Sequence, residues 1–390
     1  MNRRDLLGLG AGLGLSTIAG RVWAAPKADA RLLVVFLRGA YDAANVVIPT
    51  GSDFYYRVRP NLAVSRQDAL ALDGDWGLHP ALRDTILPLY AKGQAAFVPF
   101  AGTDDLTRSH FETQDTIELG QTVGASRDYN SGFMARLAAE LTRVRPIAFT
   151  EQLPLIFRGG GEPVPNMAIT GIGKPGIDDR QAKLIAAMYR DTPLAGAVSE
   201  GFRVRDEVYQ SISNHADQAD RGATSPRGFE LSARRIGRLM RDTFNLGFVD
   251  VGGWDTHVNQ GGAKGYLAER MGELGRGIAG FVEEIGPGWS DTVVVVVSEF
   301  GRTFRENGSR GTDHGHGSVY WVLGGGVRGG RIAGPQVRAD EAHLFQNRDW
   351  PVLTDYRSLL SGLLGRLYGL DQNALRRIFP GNDPANLALI

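Results

Sequence analysis

The sequence predicts an α/β protein: a mostly parallel central sheet with helices on both faces. Three observations predict it. Short apolar runs of strand length recur along the chain, and helix-length segments lie between them. The clearest run, Thr292 to Val297, carries five valines in succession, with none of the polar alternation of a half-solvated strand. Such a run needs cover on both faces.

Taken in order, the expected strands are Arg31 to Leu37, Ala95 to Ala101, Ile147 to Phe149, Leu246 to Val251, Thr292 to Val297 and Val319 to Leu323. The expected helices are Pro80 to Tyr90, His110 to Leu119, Ser131 to Leu141, Phe229 to Phe244, Tyr266 to Ile285 and Asp355 to Tyr368. No period of 20–50 residues repeats, which argues against a solenoid or propeller. The polar stretch from Asn214 to Arg227 reads as a surface connection, so residues 29–390 are expected to form a single domain.

The chain has 390 residues, with 43 Lys+Arg against 43 Asp+Glu and no cysteine. Zero net charge argues against nucleic acid as a partner, because backbone phosphates demand a basic surface. Without cysteine there is no disulfide scaffold, thiolate metal cluster or thiol nucleophile. Any metal must be held by histidine, carboxylates, hydroxyls or carbonyls. The 52 glycines are about twice the usual share, which suits sites built from tight loops.

Residues 1–24 read as a twin-arginine signal peptide. Arg3 and Arg4 precede a mildly apolar, glycine-laced stretch, and Val22 and Ala24 fit a cut after Ala24. The stretch is too short for a comfortable span of about 20 residues. The expectations are passage through the twin-arginine translocase, a periplasmic or secreted location, and no stable membrane insertion after cleavage. Gly8, Gly10, Gly12 and Gly14 miss the dinucleotide spacing, and no strand precedes them.

Ligands in parallel sheets gather beyond the carboxyl ends of strands, so the polar residues there carry the functional reading. Asp42 follows the first strand, Ser109 and His110 the second, Asp255 and His257 the Leu246 strand, and Glu299 and Arg302 the valine strand. Asp313, His314 and His316 immediately precede the last strand. Asp255 and His257, two apart, point the same way in extended chain, and so do His314 and His316. The candidate metal ligands are therefore Asp42, Asp255, His257, Glu299, Asp313, His314 and His316. They suit a divalent ion, zinc first, with manganese, magnesium or calcium as alternatives. The competing reading is a metal-free polar network that holds the glycine-rich loops.

Ser109 also has two readings. Ser109-His110-Phe111-Glu112 fits a capping box, in which the hydroxyl only satisfies an amide. A hydroxyl at a helix start beside a metal is equally placed to be a nucleophile. No G-x-S-x-G elbow occurs.

Together, F-L-R-G-A-Y-D at Phe36 to Asp42, R-S-H-F at Arg108 to Phe111, G-G-W-D-T-H at Gly252 to His257, S-E-F-G-R-T at Ser298 to Thr303 and G-T-D-H-G-H-G at Gly311 to Gly317 resemble an exported bacterial family of unknown function, DUF1501. More distantly the arrangement resembles the alkaline phosphatase and sulfatase superfamily. That resemblance implies an alkaline-phosphatase-like fold and a metal-bound site that hydrolyses phosphate or sulfate esters through a hydroxyl. By the same resemblance Asp42 matches a first-strand metal aspartate and Ser109 the nucleophile. Asp255 and His257 match ligands of one ion, joined by a histidine of the D-H-G-H loop. Glu299 stands where the superfamily has an aspartate followed by histidine, but Phe300 follows here, a departure that bears on a second ion. Arg302 or Arg38 would grip anionic oxygens as a planar fork, or would simply pair with a carboxylate. The C/S-x-P-x-R motif of typical sulfatases is absent.

The expectation is thus an exported metal-dependent hydrolase of small anionic esters, with Ser109 and Arg302 catalytic. The rival is a metal-stabilised binding or assembly protein without turnover.

Overall fold

A computed structural model describes residues 30–161, 163–169, 179–203 and 228–390. The leader expected at residues 1–24 and the connection expected at 214–227 lie outside the described residues.

Eleven strands are described: β1 (Arg31–Leu37), β2 (Val47–Pro49), β3 (Leu70–Ala71), β4 (Trp76–Leu78), β5 (Ala95–Gly102), β6 (Pro146–Ala148), β7 (Leu246–Val251), β8 (Thr292–Ser298), β9 (Ser318–Gly324), β10 (Arg331–Ile332) and β11 (Thr354–Asp355). Eight of them form one sheet in the order β10-β5-β9-β8-β1-β7-β6, with β11 also paired to β5. Every pairing is parallel except the two made by β9, which runs against both β5 and β8. The six strands read from sequence are all present, within one residue at each end. The direction of β9 differs from the expected crossover pattern. Because β9 lies antiparallel beside β8, the loop joining them starts and finishes at the carboxyl edge of β8. The whole of Glu299 to Gly317 is thereby held at that edge.

Alternate residues of each central strand feed opposite cores. Leu33, Val35 and Leu37 of β1 join one with Val294 and Val296. Leu32, Val34 and Phe36 join the other with Val293, Val295 and Val297. The first core is covered by helices Phe229–Asp242 and Tyr266–Ile285, through Ile236, Leu239, Leu274 and Ile278. The second is covered by His110–Leu119, Phe133–Glu140, Tyr356–Tyr368 and Gln372–Ile378, through Ile117, Leu137, Leu363 and Leu375. Each of the five valines is at most 3% exposed. At about 1.5–3 kcal/mol for a fully buried aliphatic side chain, this one strand is a large share of the driving force.

Three features are absent from the sequence reading. Strands β2, β3 and β4 form a small antiparallel sheet, too short to leave a period-2 signal. The expected Pro80 to Tyr90 helix divides into a 3-10 turn, Pro80–Leu82, and a helix, Ile86–Ala91. Further helices occupy Asp53–Val58, Asp179–Tyr189 and Gln372–Ile378. No helix among the described residues is long and apolar enough to cross a membrane.

Candidate metal centre

Four loops meet beyond the carboxyl ends of β1, β5, β7 and β8. The close approach depends on backbone without side chains. At Gly39, with φ +116°, a Cβ would stand 2.7 Å from the Asp255 amide, so only glycine lets the end of β1 abut the β7 loop. The β8–β9 loop folds on itself, with Gly301 N–H donating to His316 O at 2.8 Å and Gly315 N–H to Gly301 O at 2.8 Å. A bridge pairs Arg302 with His314, and Thr312 N–H reaches Thr256 O at 3.1 Å.

The result is a ring of four donors. His314 Nε2 lies 2.9 Å from His110 Nε2 and 3.1 Å from His257 Nε2. Asp255 Oδ1 lies 2.9 Å from His257 Nε2, 3.4 Å from His314 Nε2 and 3.6 Å from His110 Nε2. The other ring nitrogen of each histidine fixes its tautomer. His110 Nδ1 faces Glu299 Oε1 at 2.7 Å, His314 Nδ1 faces the Arg108 carbonyl at 2.9 Å, and His257 Nδ1 faces Asp313 Oδ1 at 3.4 Å. Carbonyl and carboxylate oxygens only accept, so each Nδ1 carries a proton, and whenever a ring is neutral its Nε2 presents a lone pair. Three imidazole nitrogens and a carboxylate oxygen thus crowd together, an arrangement that a shared cation, or a proton on one ring, relieves.

The spacing fits one. Tetrahedral ligands with bonds of about 2.0–2.1 Å stand about 3.3 Å apart, close to the 2.9, 3.4 and 3.6 Å that separate His110, His314 and Asp255, while His257 flanks the last two. The carboxylate or carbonyl behind each imidazole is the usual support of a metal-bound histidine. The ring is reachable from solvent, the side chains of Asp255 and His257 being 45% and 40% exposed. Burial tends to raise the Asp255 carboxyl, but the Arg302 hydrogen bond and charge, with His257 and His110, hold it below the ordinary carboxylate range. The hydrogen bond that His110 donates to Glu299 raises its pKa above the usual imidazole value, and burial lowers His314.

Of the seven ligands expected from sequence, Asp255, His257 and His314 are in the ring; four stand elsewhere. Asp42 is buried against Arg59, with Oδ2 2.6 Å from Nη1 and Oδ1 3.1 Å from Nη2, and it also accepts from Gln260 Nε2 at 2.6 Å. Its charge is answered by a side chain rather than an ion. Glu299 stands behind His110: Oε1 accepts from the Gly39 amide and Gln114, and Oε2 from the Ser298 hydroxyl. Asp313 stands behind His257 and also takes a bond from Asn307 Nδ2 at 3.1 Å. His316 turns away, because the Gly301–Gly315 bonds break the extended alternation that the D-H-G-H spacing assumed. Its ring packs on Phe345 at 5.0 Å, and burial, then the charge of Arg108, push its pKa down to about 4.

The two expected catalytic residues also have definite places. Ser109 occupies the N-cap position, but its side chain makes no capping bond, and Glu112 pairs with Arg127 at 2.5 Å, so the capping box does not form. Arg302 has no exposed side-chain surface and is committed to Asp255 Oδ1 at 2.8 Å and to Thr312 Oγ1 and O at 3.2 and 2.9 Å. It orients Asp255. Arg38 is likewise tied, to Asp250, Gln114 and Glu118.

His110 is the candidate ligand that the sequence reading did not include. Its only local signal is its place just past the end of β5, and its partner His314 is 204 residues away. A separate cleft of about 730 Å³ opens beyond β6 and β7, lined by Arg38, Gln114, Glu118, Asp250 and Ser232 among others. It lies beside the ring, not over it. Arg38, Gln114 and Glu299 form the hydrogen-bonded partition between the two.

A family model described as protein of unknown function, DUF1501, matches residues 29–379. The chain belongs to the DUF1501 family. A search of curated proteins finds no match for this DUF1501 chain. Solved structures that it resembles include the lipoteichoic acid synthase LtaP from Listeria monocytogenes, at 9% identity and TM-score 0.42, over 96% of this chain and 79% of that one. A protein in the alkaline phosphatase superfamily from Vibrio parahaemolyticus matches at 11% identity and TM-score 0.39, over 87% of this chain and 66% of that one. A magnesium-bound mutant of the TAB5 alkaline phosphatase matches at 10% identity and TM-score 0.32, over 75% and 90%. Likeness this distant assigns no role to any residue of the DUF1501 chain.

Proposed function

We propose that the protein is an exported, metal-dependent hydrolase of phosphate or sulfate esters, working in the periplasm or outside the cell. The observation that carries this reading is the cluster of His110 Nε2, His314 Nε2 and Asp255 Oδ1, close enough to share one ion, with His257 Nε2 against His314 and Asp255. Three imidazoles and one carboxylate favour zinc over magnesium or calcium, which prefer all-oxygen surroundings. One ion is expected, since the Asp42 carboxylate already has Arg59 as its counter-charge. A divalent ion held there supplies Lewis-acid polarisation of a phosphoryl or sulfuryl oxygen.

The chain's own groups support the rest. Arg302 holds the Asp255 carboxylate in place, and Glu299 holds the His110 ring. Ser109 immediately precedes His110, and its hydroxyl is not spent on capping. In the proposed reaction Ser109 Oγ forms a bond to phosphorus or sulfur as the ester oxygen leaves with a proton. Water then cleaves the seryl ester, releasing the inorganic anion and restoring the hydroxyl. Export rests on the arginine pair and small-residue cut site at the start of the chain, with the twin-arginine translocase as the transient partner.

One observation favours a second reading, a metal-stabilised binding or assembly protein without turnover. Arg302, the fork expected to grip an anionic ester, is already spent on Asp255 and Thr312. The test is to express the chain with its leader, measure bound metal, and assay phosphate mono- and diesters and sulfate esters. Turnover lost together with metal in Asp255→Ala and His257→Ala variants supports the hydrolase. Stoichiometric metal without turnover on the whole panel supports the second reading, and no stoichiometric metal sinks both.

A further inference from the structure

The His314 ring is held by a main-chain carbonyl, and that carbonyl belongs to a residue in an unusual state. Arg108 has φ +53°, a left-handed backbone that costs a side-chain-bearing residue energy and persists only when its surroundings fix it. What fixes it is a long-range anchor. Arg108 Nε and Nη2 both donate to Asp349 Oδ2, at 3.0 and 2.8 Å, and Nη2 also donates to Gln346 Oε1 at 2.7 Å. The Asp349 side chain has no exposed surface, and its backbone is pinned in both directions to Phe345, at 2.8 and 3.1 Å. The helix that carries His110 starts two residues after Arg108. One anchored residue therefore sets two of the four donors, His314 through its carbonyl and His110 through the chain.

We propose that Arg108 is a positioning residue for the metal centre. Its ion pair with Asp349 fixes the tautomer and direction of the His314 imidazole and the placement of His110. Neither Arg108 nor Asp349 contributes a ligand. The inference rests on the reading that the histidine–aspartate ring holds a divalent ion, and the test separates the two.

Cobalt(II) is titrated into the metal-free mature protein, with visible absorption reporting coordination geometry and far-ultraviolet circular dichroism reporting the fold. Wild type is expected to bind with a tetrahedral-type spectrum. Arg108→Ala and Asp349→Asn are expected to weaken binding about 10- to 100-fold and to alter the spectrum, the scale seen when supports of metal ligands are removed. The double variant is expected to weaken binding by clearly less than the two single losses combined, because the Arg108–Asp349 contact is common to both, beside the separate bonds of Asp349 to Arg348 and of Arg108 to Gln346. Arg108→Lys keeps a cation beside the buried carboxylate but lacks the fork, so its affinity is expected to fall between wild type and Arg108→Ala. Should Arg108→Ala fail to fold, Arg108→Lys carries the test. Anchor variants that bind cobalt with wild-type affinity and spectrum overturn the proposal and leave the metal reading intact. A wild type that binds no cobalt overturns the metal reading, and this inference with it.

Discussion

His257 and His314 direct their Nε2 atoms at one another across 3.1 Å, with Nδ1 of each ring turned to an acceptor. Two such lone pairs do not form a hydrogen bond, and the pair makes sense as two edges of one coordination shell. His314, which faces both His110 and His257, is its hub.

Replacing that hub is therefore expected to be decisive. His314→Ala should lose stoichiometric metal after dialysis, whereas His316→Ala, whose ring packs on Phe345, should retain it. Metal content by elemental analysis, compared between the two variants, checks the assignment. Equal retention in both would remove His314 from the ligand set.

The carboxylates behind the rings should matter in proportion to their geometry. Glu299 meets His110 at 2.7 Å, while Asp313 meets His257 at 3.4 Å, beyond a strong hydrogen bond. Glu299→Gln is expected to lower metal affinity about 10- to 100-fold, with a smaller loss for Asp313→Asn. Competition titration against a chelator measures both.

Asp42 is expected to act on stability and not on metal. Asp42→Ala leaves the Arg59 guanidinium buried without its carboxylate, a change that costs about 3–5 kcal/mol for a broken buried pair. Denaturant unfolding should show that loss, and metal stoichiometry should stay as in wild type. A drop in stoichiometry would return Asp42 to the ligands.

Ser109 offers the opposite contrast. With no capping bond to lose, Ser109→Ala should shift stability by less than about 0.5 kcal/mol. Ester turnover should nevertheless vanish if the hydroxyl is the nucleophile. Persistent turnover would transfer the role to water.

A pH dependence follows from His79, far from the ring in sequence. Its Nδ1 accepts from the Ala81 amide at 3.1 Å and its Nε2 faces the Gly262 carbonyl at 3.0 Å, so the folded ring is neutral. Burial lowers its pKa below 6.5, outweighing the Gly262 bond and the charge of Asp42. The unfolded chain takes up that proton first, so the stabilisation is complete above about pH 6.5 and is lost as pH falls below it. Thermal unfolding should show the midpoint falling from pH 7 to pH 5. His79→Asn, which keeps an acceptor for Ala81, should flatten that slope.

The chain by itself determined six of the large sheet's eight strands, the two-residue β10 and β11 being too short to read, because each of the six is a continuous apolar run that water excludes whatever its neighbours. The Thr292 to Val297 and Arg31 to Leu37 runs are legible for that reason alone. It also placed Asp255, His257 and His314 at strand ends, since glycine-rich polar loops after such runs have nowhere else to go. Tertiary structure decided the rest. Whether a carboxylate can be a ligand depends on what surrounds it: Asp42 is enclosed by Arg59 and Gln260, and Glu299 is spent on His110, whereas Asp255, though bonded to Arg302, also faces the imidazoles. Whether His314 or His316 faces inward depends on the Gly301–Gly315 backbone bonds, which no residue spacing encodes. His110 became a donor only because the antiparallel β9 returns the D-H-G-H loop to the edge where β5 ends. Side-chain type is written locally, but coordination is a matter of distance between segments far apart in the chain, and only the packed sheet sets it.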